Sequence, residues 1–482
     1  MFETGIRQFR MAMAMVNGRR IKPRLIQQLI ADADATLREF GSPGDDVDEL
    51  LDGPFADPET RDHFQIQGLR RTARRLAARS PFYAARFADA GLEPGRVTLE
   101  SLAAIPVTTK ADLVDHAAEL LCRDTTPSLS TRTTGTTGRP VEVWLSRYEA
   151  ELWPAMAALS GLLRNEINHD DCLQINLSSR ATAAVQHDIE VCRLVGARSR
   201  ALGVLPVDQS IDSLLDNRGG GAPTILGTYP SYLARLVRAA QRRGLRPRDF
   251  SLRRIDVAGE LLSSAVAAGA RSTFGVHPSD TFAMTEVLPV SGRTCGHRHL
   301  HIDLNMGLAE VVALDGSRPA EPGEIGTMVV TPFFPYRDCM PVFRYDTRDL
   351  VKRLPGERLT CNLAGVPALS PILGKADQLV SAGGRLVTPR DIVEVLEQLP
   401  GAPWPAQYRA AGTDGEVRLT VGPATLTGTT AAELAARFAA LGIACEIDVA
   451  ATDEPLRAVR ADLLETTFTA ALATADLATT GA

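Results

Sequence analysis

Residues 133–140 read TTGTTGRP: Thr133, Thr134, Gly135, Thr136, Thr137, Gly138, Arg139 and Pro140. Two glycines let a backbone turn sharply and present consecutive N–H groups. The threonine hydroxyls add donors, and Arg139 adds a fixed positive charge. A loop of this make-up suits a polyphosphate; the plain alternative is a polar turn between two elements. A second chemical cluster lies in TCGHRHLHID, which puts Cys295, His297, His299 and His301 within seven residues, with Cys339 and Cys361 further on. Thiolates and imidazoles in that number can hold a tetrahedral zinc ion. Buried thiols beside surface histidines would read the same way. Only four lysines (Lys22, Lys110, Lys352 and Lys375) stand against 48 arginines, so a lysine at a functional position is conspicuous.

These groups need a scaffold, and 482 residues at 45% hydrophobic content are ample for one. Length alone points to two to four domains. A net charge of −6 gives no reason to expect nucleic acid as a partner. Seven scattered cysteines, an odd number, imply no disulfide framework and point to the reducing cytoplasm. The opening MFETGIRQFRMAMAMVNGRR carries Arg7 and Arg10 without a clear cleavage site, so no signal peptide is read. No run of 18 apolar residues occurs, and no membrane span is expected.

Residues 20–90 show apolar positions at three- and four-residue spacing and read as helices, with the arginine run at 70–79 as a solvated face. From residue 100, short buried strands alternate with helical patterns. CLQINLSS, APTILGTYP and RRIDVAGELL are the strands; AAVQHDIEVCRLVG, SYLARLVRAAQRRG and SSAVAAGARSTFG are the helices. That alternation predicts a parallel α/β core with ligands at the strand carboxyl ends. After residue 305, MGLAEVVAL, EIGTMVVTPF and RDLVKRL read as antiparallel strands. Beyond 374 the pattern is a compact α+β unit. The expected division is a helical region 1–95, a core 96–373 and a small domain 374–482.

Further landmarks follow the threonine–glycine loop in order: GTYPSYLARL (227–236), AGE (258–260), FAMTEV (282–287), PGEIGTMVVT (322–331), FRYDTRDL (343–350) and ILGKADQLVSAGGRLVTPRDI (372–392). The series resembles the adenylate-forming superfamily, and within it the phenylacetate–CoA ligase-like branch, over residues 80–465. The resemblance implies a large α/β domain with parallel sheets and a small β subdomain, followed by a small mobile α+β lid. It puts the ATP phosphates on Thr133, Thr134, Gly135, Thr136, Thr137 and Gly138, with Arg139 where a lysine is usual. Thr285 would meet a phosphate oxygen and Glu286 would hold Mg²⁺, a hard cation suited to oxygen ligands. Phe282 would stack near adenine, with Gly259 and Glu260 along it. Asp349 would accept from the ribose hydroxyls, and Lys375 would reach ribose or phosphate. In the same comparison Asp377 is a hinge, and Tyr229 and Pro230 begin the acyl pocket. Asp346 and Arg348 depart from the motif's usual arginine and glycine.

The branch usually carries a lysine in the C-terminal domain, bridging the substrate carboxylate and the α-phosphate. Here the stretch is DEPLRAVRADLLET (453–466), and no lysine follows Lys375. Arg457 or Arg460 would have to offset the developing charge. The branch also implies a structural zinc, for which Cys295, His301, Cys339 and Cys361 are the candidate ligands. The expected activity is an ATP- and Mg²⁺-dependent ligase that makes an acyl-AMP from an aromatic acid and passes the acyl group to CoA or an amine. Two alternatives stay open: a diazotase activating nitrite as an AMP ester against an aryl amine in secondary metabolism, and a non-catalytic nucleotide-binding regulator. The N-terminal helices are a candidate homodimer element.

Overall fold

The computed structural model describes residues 2–41, 46–132, 141–355, 359–413 and 415–462. The loop carrying Thr133 to Arg139 lies outside the described residues.

The ribbon leading to that loop is antiparallel: β1 (Pro127–Arg132) pairs with β2 (Glu142–Ser146). The α/β core follows with β3 (Cys172–Asn176), β4 (Arg198–Ala201), β5 (Ile225–Thr228), β6 (Arg254–Ala258) and β7 (Ser279–Ala283), all parallel in the order 4-3-5-6-7. β8 (Ser291–Thr294) and β9 (Leu300–Ile302) extend this sheet antiparallel. A meander of β10 (Gly307–Ala313), β11 (Ile325–Pro332) and β12 (Tyr345–Leu354) joins it through β13 (Ala368–Leu369), which pairs with both β12 and β9. β14 (Gly374–Lys375) then pairs with β12 and sets Lys375 opposite Asp349. The strands and intervening helices read from the apolar runs are all present.

The helices close the core for local reasons. Pro230–Arg242 starts on proline, which fits the first helical position, and buries Tyr232, Leu233, Leu236 and Val237. Thr182–Val195 ends at Gly196, whose φ of 79° is the left-handed cap conformation. At the N-terminus, Pro23–Phe40, Pro58–Arg79 and Pro81–Asp89 are helical as expected. Phe2–Val16 is a further helix, within the region 1–95 expected to be helical but ahead of the periodic stretch 20–90, and it exposes Ile6, Phe9 and Met13. Ile26, Leu69, Leu76 and Phe82 share one apolar cluster with Val330 and Met340, so these helices form a layer on the core. The 70–79 run is not simply a solvated face. Arg75 pairs with Asp124 at 2.9 Å and stacks on Phe334, and Arg70 donates to the Val97 carbonyl.

The C-terminal segment has its own apolar core, from Val380 to Ile443. It comprises the ribbon β15 (Val380–Ala382) and β16 (Arg385–Val387), the helices Pro389–Leu396 and Ala431–Ala440, and a sheet of β17 (Tyr408–Gly412), β18 (Val417–Val421) and β19 (Cys445–Val449). Among the described residues, no helix is long and apolar enough to cross a membrane.

Candidate active site

A cavity of about 870 Å³ opens at the carboxyl ends of β3, β5, β6 and β7, where parallel α/β sheets hold their ligands. Glu286 sits in the turn after β7, fixed by the amides of Val287 and Leu288 donating to the Met284 carbonyl. It is 4% exposed. Burial pushes its carboxyl pKa up, opposed by its own backbone amide and by the positive fields of Lys375 and Lys110. A buried carboxylate facing an open cavity beside Thr285 offers the hard oxygen donor a divalent cation requires. Burial and the adjacent Glu286 push the Tyr345 phenol up as well.

Asp349 reaches the same cavity from β12, through an irregularity in that strand. The β11–β12 register shifts between Thr327 and Val329, opposite residues 346–350. Thr347 Oγ1 donates to the Met328 carbonyl and accepts from the Asp349 amide. Arg348 takes a φ of 61°, the left-handed conformation that glycine adopts freely; an L side chain there costs about 1 kcal/mol. Its amide donates to Asp346 Oδ1 at 2.9 Å. The bulge turns Asp349 toward Lys375, whose Nζ lies 3.0 Å from Asp349 Oδ2 and donates to the Thr347 carbonyl.

Gly259, Glu260 and Tyr229 form the next wall, and Arg460 lies along it. Gly259 has a φ of 84°, and a Cβ there would stand 3.2 Å from the Arg460 guanidinium. Glu260 accepts from the Ser231 amide at 3.0 Å and from the Arg460 amide at 2.6 Å. Arg460 Nε donates to the Gly259 carbonyl, and its guanidinium lies 5.2 Å from the Tyr229 ring centroid. Arg457 also reaches the cavity, but its Nε donates to the Ala406 carbonyl and its guanidinium stacks on Tyr408. Phe282, Pro230 and Asp377 line the same space, as do Thr131 and Arg132 immediately before the threonine–glycine loop.

The sequence reading missed Lys110, which begins the helix Lys110–Asp115 behind a Thr109–Asp112 capping box and projects its charge onto Glu286. Its signal was scarcity: two of four lysines meet at one cavity. Arg180, in the turn after β3, and Asp280, on β7, were also missed. Burial pushes Asp280 up to about 6, with Arg390 and Arg298 opposing.

The candidate metal cluster corrects one ligand. Cys295, His299, His301 and Cys361 bring their donor atoms within 4.8 Å of one another. Cys339 lies elsewhere: its amide donates to Glu149 at 3.3 Å and its carbonyl accepts from Cys122. His299 takes its place because residues two apart on an extended strand share a face, so His299 accompanies His301. His297 turns instead to Thr360 Oγ1 at 3.2 Å. Cys361 Sγ is 3.5 Å from His301 Nε2, close to the edge of about 3.5 Å expected between N and S ligands of tetrahedral zinc. Burial pushes His301 down to about 4, which keeps its imidazole neutral as ligation needs. The donor set fits zinc.

No protein-family model matches the chain. In sequence it is similar to the phenylacetate-coenzyme A ligase of Thermus thermophilus, 26% identical over 355 residues that cover 70% of this chain and 75% of the relative. It is likewise similar to that of Escherichia coli, 24% identical over 364 residues covering 69% and 75%. Among solved structures, 2-hydroxyisobutyryl-CoA ligase in the postadenylation state with R3-HIB-AMP superposes with a TM-score of 0.66 at 20% identity, covering 88% of this chain and 93% of that one. ATP-bound MatB from Rhodopseudomonas palustris gives 0.53 at 18% identity, covering 70% and 67%. The chain is thus similar in sequence to phenylacetate-coenzyme A ligases, and it shares the mixed α/β fold of these structural neighbours.

Proposed function

We propose that the protein is an ATP-dependent, AMP-forming acid ligase. The substrate carboxylate attacks the α-phosphorus of ATP in line, pyrophosphate leaves, and an acyl-AMP remains. The thiol of CoA then attacks the acyl carbon and AMP departs; an amine is the alternative acceptor. The observation that carries this reading is convergence. Glu286, Asp349, Lys375 and the Gly259–Glu260 wall come from four separate segments, yet all open onto one cavity.

Catalysis here is positioning and charge stabilisation rather than covalent chemistry. Bound Mg²⁺ would neutralise phosphate charge, and Glu286 is its protein ligand. Asp349, oriented by Lys375, accepts from ribose hydroxyls. Thr285 donates to a phosphate oxygen, and Phe282 stacks near adenine beside Gly259 and Glu260. Arg460 supplies the cation that a lysine usually brings from the C-terminal domain. Its contact with Gly259 and Tyr229 sets it between the nucleotide wall and the start of the acyl pocket at Tyr229 and Pro230. The unit from residue 374 acts as the lid, with the exposed turn at Asp377 as its hinge. Cys295, His299, His301 and Cys361 hold a structural zinc.

The test is pyrophosphate release from ATP and Mg²⁺ across aryl acids, aliphatic acids and nitrite, followed by CoA or amine capture. Release with at least one acid is expected. Release with none, beside normal ATP binding, would refute the reading.

A further inference from the structure

The cavity's remaining wall says something about the acid. Along the sheet, Glu286 follows β7, Gly259 follows β6, Tyr229 follows β5 and Arg180 follows β3. At about 4.8 Å per strand, Arg180's turn lies roughly 14 Å from the strand that carries Glu286 and about 10 Å from that of Gly259. Arg180 therefore belongs to the end beyond Tyr229, away from the triphosphate. Its backbone is held firmly. The Arg180 amide donates to Ser178 Oγ at 3.2 Å, the Ala181 amide donates to the Ser178 carbonyl at 2.8 Å, and the Ser178 amide donates to the Tyr229 hydroxyl at 3.3 Å.

The guanidinium itself has no partner among the described residues. The other arginines of the cavity all have one. Arg132 faces Glu142 at 3.9 Å, Arg348 faces Asp346 at 3.8 Å, Arg457 holds the Ala406 carbonyl, and Arg460 holds the Gly259 carbonyl. Beside Arg180 the wall is made of Ala181, Ala183 and Ala184, which leave it room to reach inward. Arg180 is exposed, so an acid ending in a bare ring or alkyl group would leave this cation to water and gain nothing from it. An acid ending in an anion would pair with it in a charge-assisted fork.

We propose that the acid activated here carries a second anionic group, such as a second carboxylate, and that Arg180 binds it. This rests on the ligase reading above. It makes Arg180 a specificity residue, remote from the reacting atoms.

Pyrophosphate release is compared within matched pairs: succinate against butyrate, and 4-carboxyphenylacetate against phenylacetate. In the wild type at least one dianion should exceed its partner in kcat/KM by tenfold or more. Arg180→Ala should abolish that ratio by raising KM for the dianion. The rate with the monoacid and the KM for ATP should stay as they were, and Arg180→Lys should restore part of the preference. Equal use of both members of each pair overturns the proposal. So does an Arg180→Ala variant whose defect lies in the KM for ATP or CoA, which would assign Arg180 to a phosphate. Release from no acid at all, with ATP still raising the melting temperature, refutes the ligase reading itself and this inference with it.

Discussion

Glu286 combines two properties that rarely coincide. It is almost fully buried, which disfavours its charge, and it faces a cavity to which two of the chain's four lysines contribute. A buried carboxylate that faces a cavity is a functional-site candidate, and the proposed role here is to hold a cation. Glu286→Gln keeps the shape and removes the anionic donor. Pyrophosphate release should fall about 100-fold or more, while thermal stability stays equal or rises because a disfavoured buried charge is gone. Unchanged turnover would reject the metal role. The two arginines of the 453–466 stretch separate at the same scale. Arg460 lies on Gly259 and Tyr229, whereas Arg457 is engaged by Ala406 and Tyr408. Arg460→Ala should slow acyl-AMP formation about 100-fold, the loss typical of one transition-state donor. Arg457→Ala should act mainly on stability, through its stacking and carbonyl contact. Single-turnover formation of acyl-AMP by both variants decides it, and equal losses would sink the distinction.

At the scale of elements, the β8–β9 hairpin brings Cys295, His299 and His301 against Cys361, which belongs to an apolar cluster with Phe55 and Leu363. Residues 359–367 have little regular structure of their own, so a metal staple there would do what backbone pairing does elsewhere. One zinc per chain is expected by elemental analysis. Cys361→Ser should lose it, and Cys339→Ser should keep it; the opposite pattern would restore the ligand set read from the sequence. That set failed for a clear reason. Whether Cys339 or His299 meets Cys361 depends on how the β10–β12 meander folds back on β8 and β9, and spacing does not encode that. The parallel core was legible because buried strands such as CLQIN and ILGT are short apolar runs bounded by turn residues, with helical periodicity between them. Glu286 and Asp349, each read from a run of distinctive neighbours, line one cavity. Asp280 and Arg180 stand in unremarkable runs, and only the three-dimensional cavity singles them out; Lys110 carried no signal beyond the scarcity of lysine.

For the molecule as a whole, the question is how the C-terminal unit sits on the main body. Its apolar core includes no residue of the larger clusters; Val459, Ala461 and Trp404 pack on the side of Pro230–Arg242, with the Arg238 guanidinium 3.9 Å from the Trp404 ring centroid. Beside these contacts the seam carries a polar network. Arg390, 7% exposed, donates to the carbonyls of Ile372 and Leu262 and to Glu394. Glu394 also accepts from Arg298 at 2.6 Å and from the Ser264 amide at 3.0 Å. Burial pushes the Arg390 pKa down, with Asp280 and Glu394 opposing, so this guanidinium is held in place by its partners. A seam built from a few directional bonds can break and re-form as a unit, which a lid must do between two half-reactions. Arg390→Met keeps the side-chain stem and strands both carbonyls, at a cost of about 3 kcal/mol. Because the two cores are separate, the loss should be local. Amide exchange should accelerate in Pro389–Leu396 and in residues 260–264, while β3, β5 and β6 keep their protection. Uniform acceleration through both cores would mean that Arg390 stabilises the fold at large, and the seam would then be no place for a lid to part.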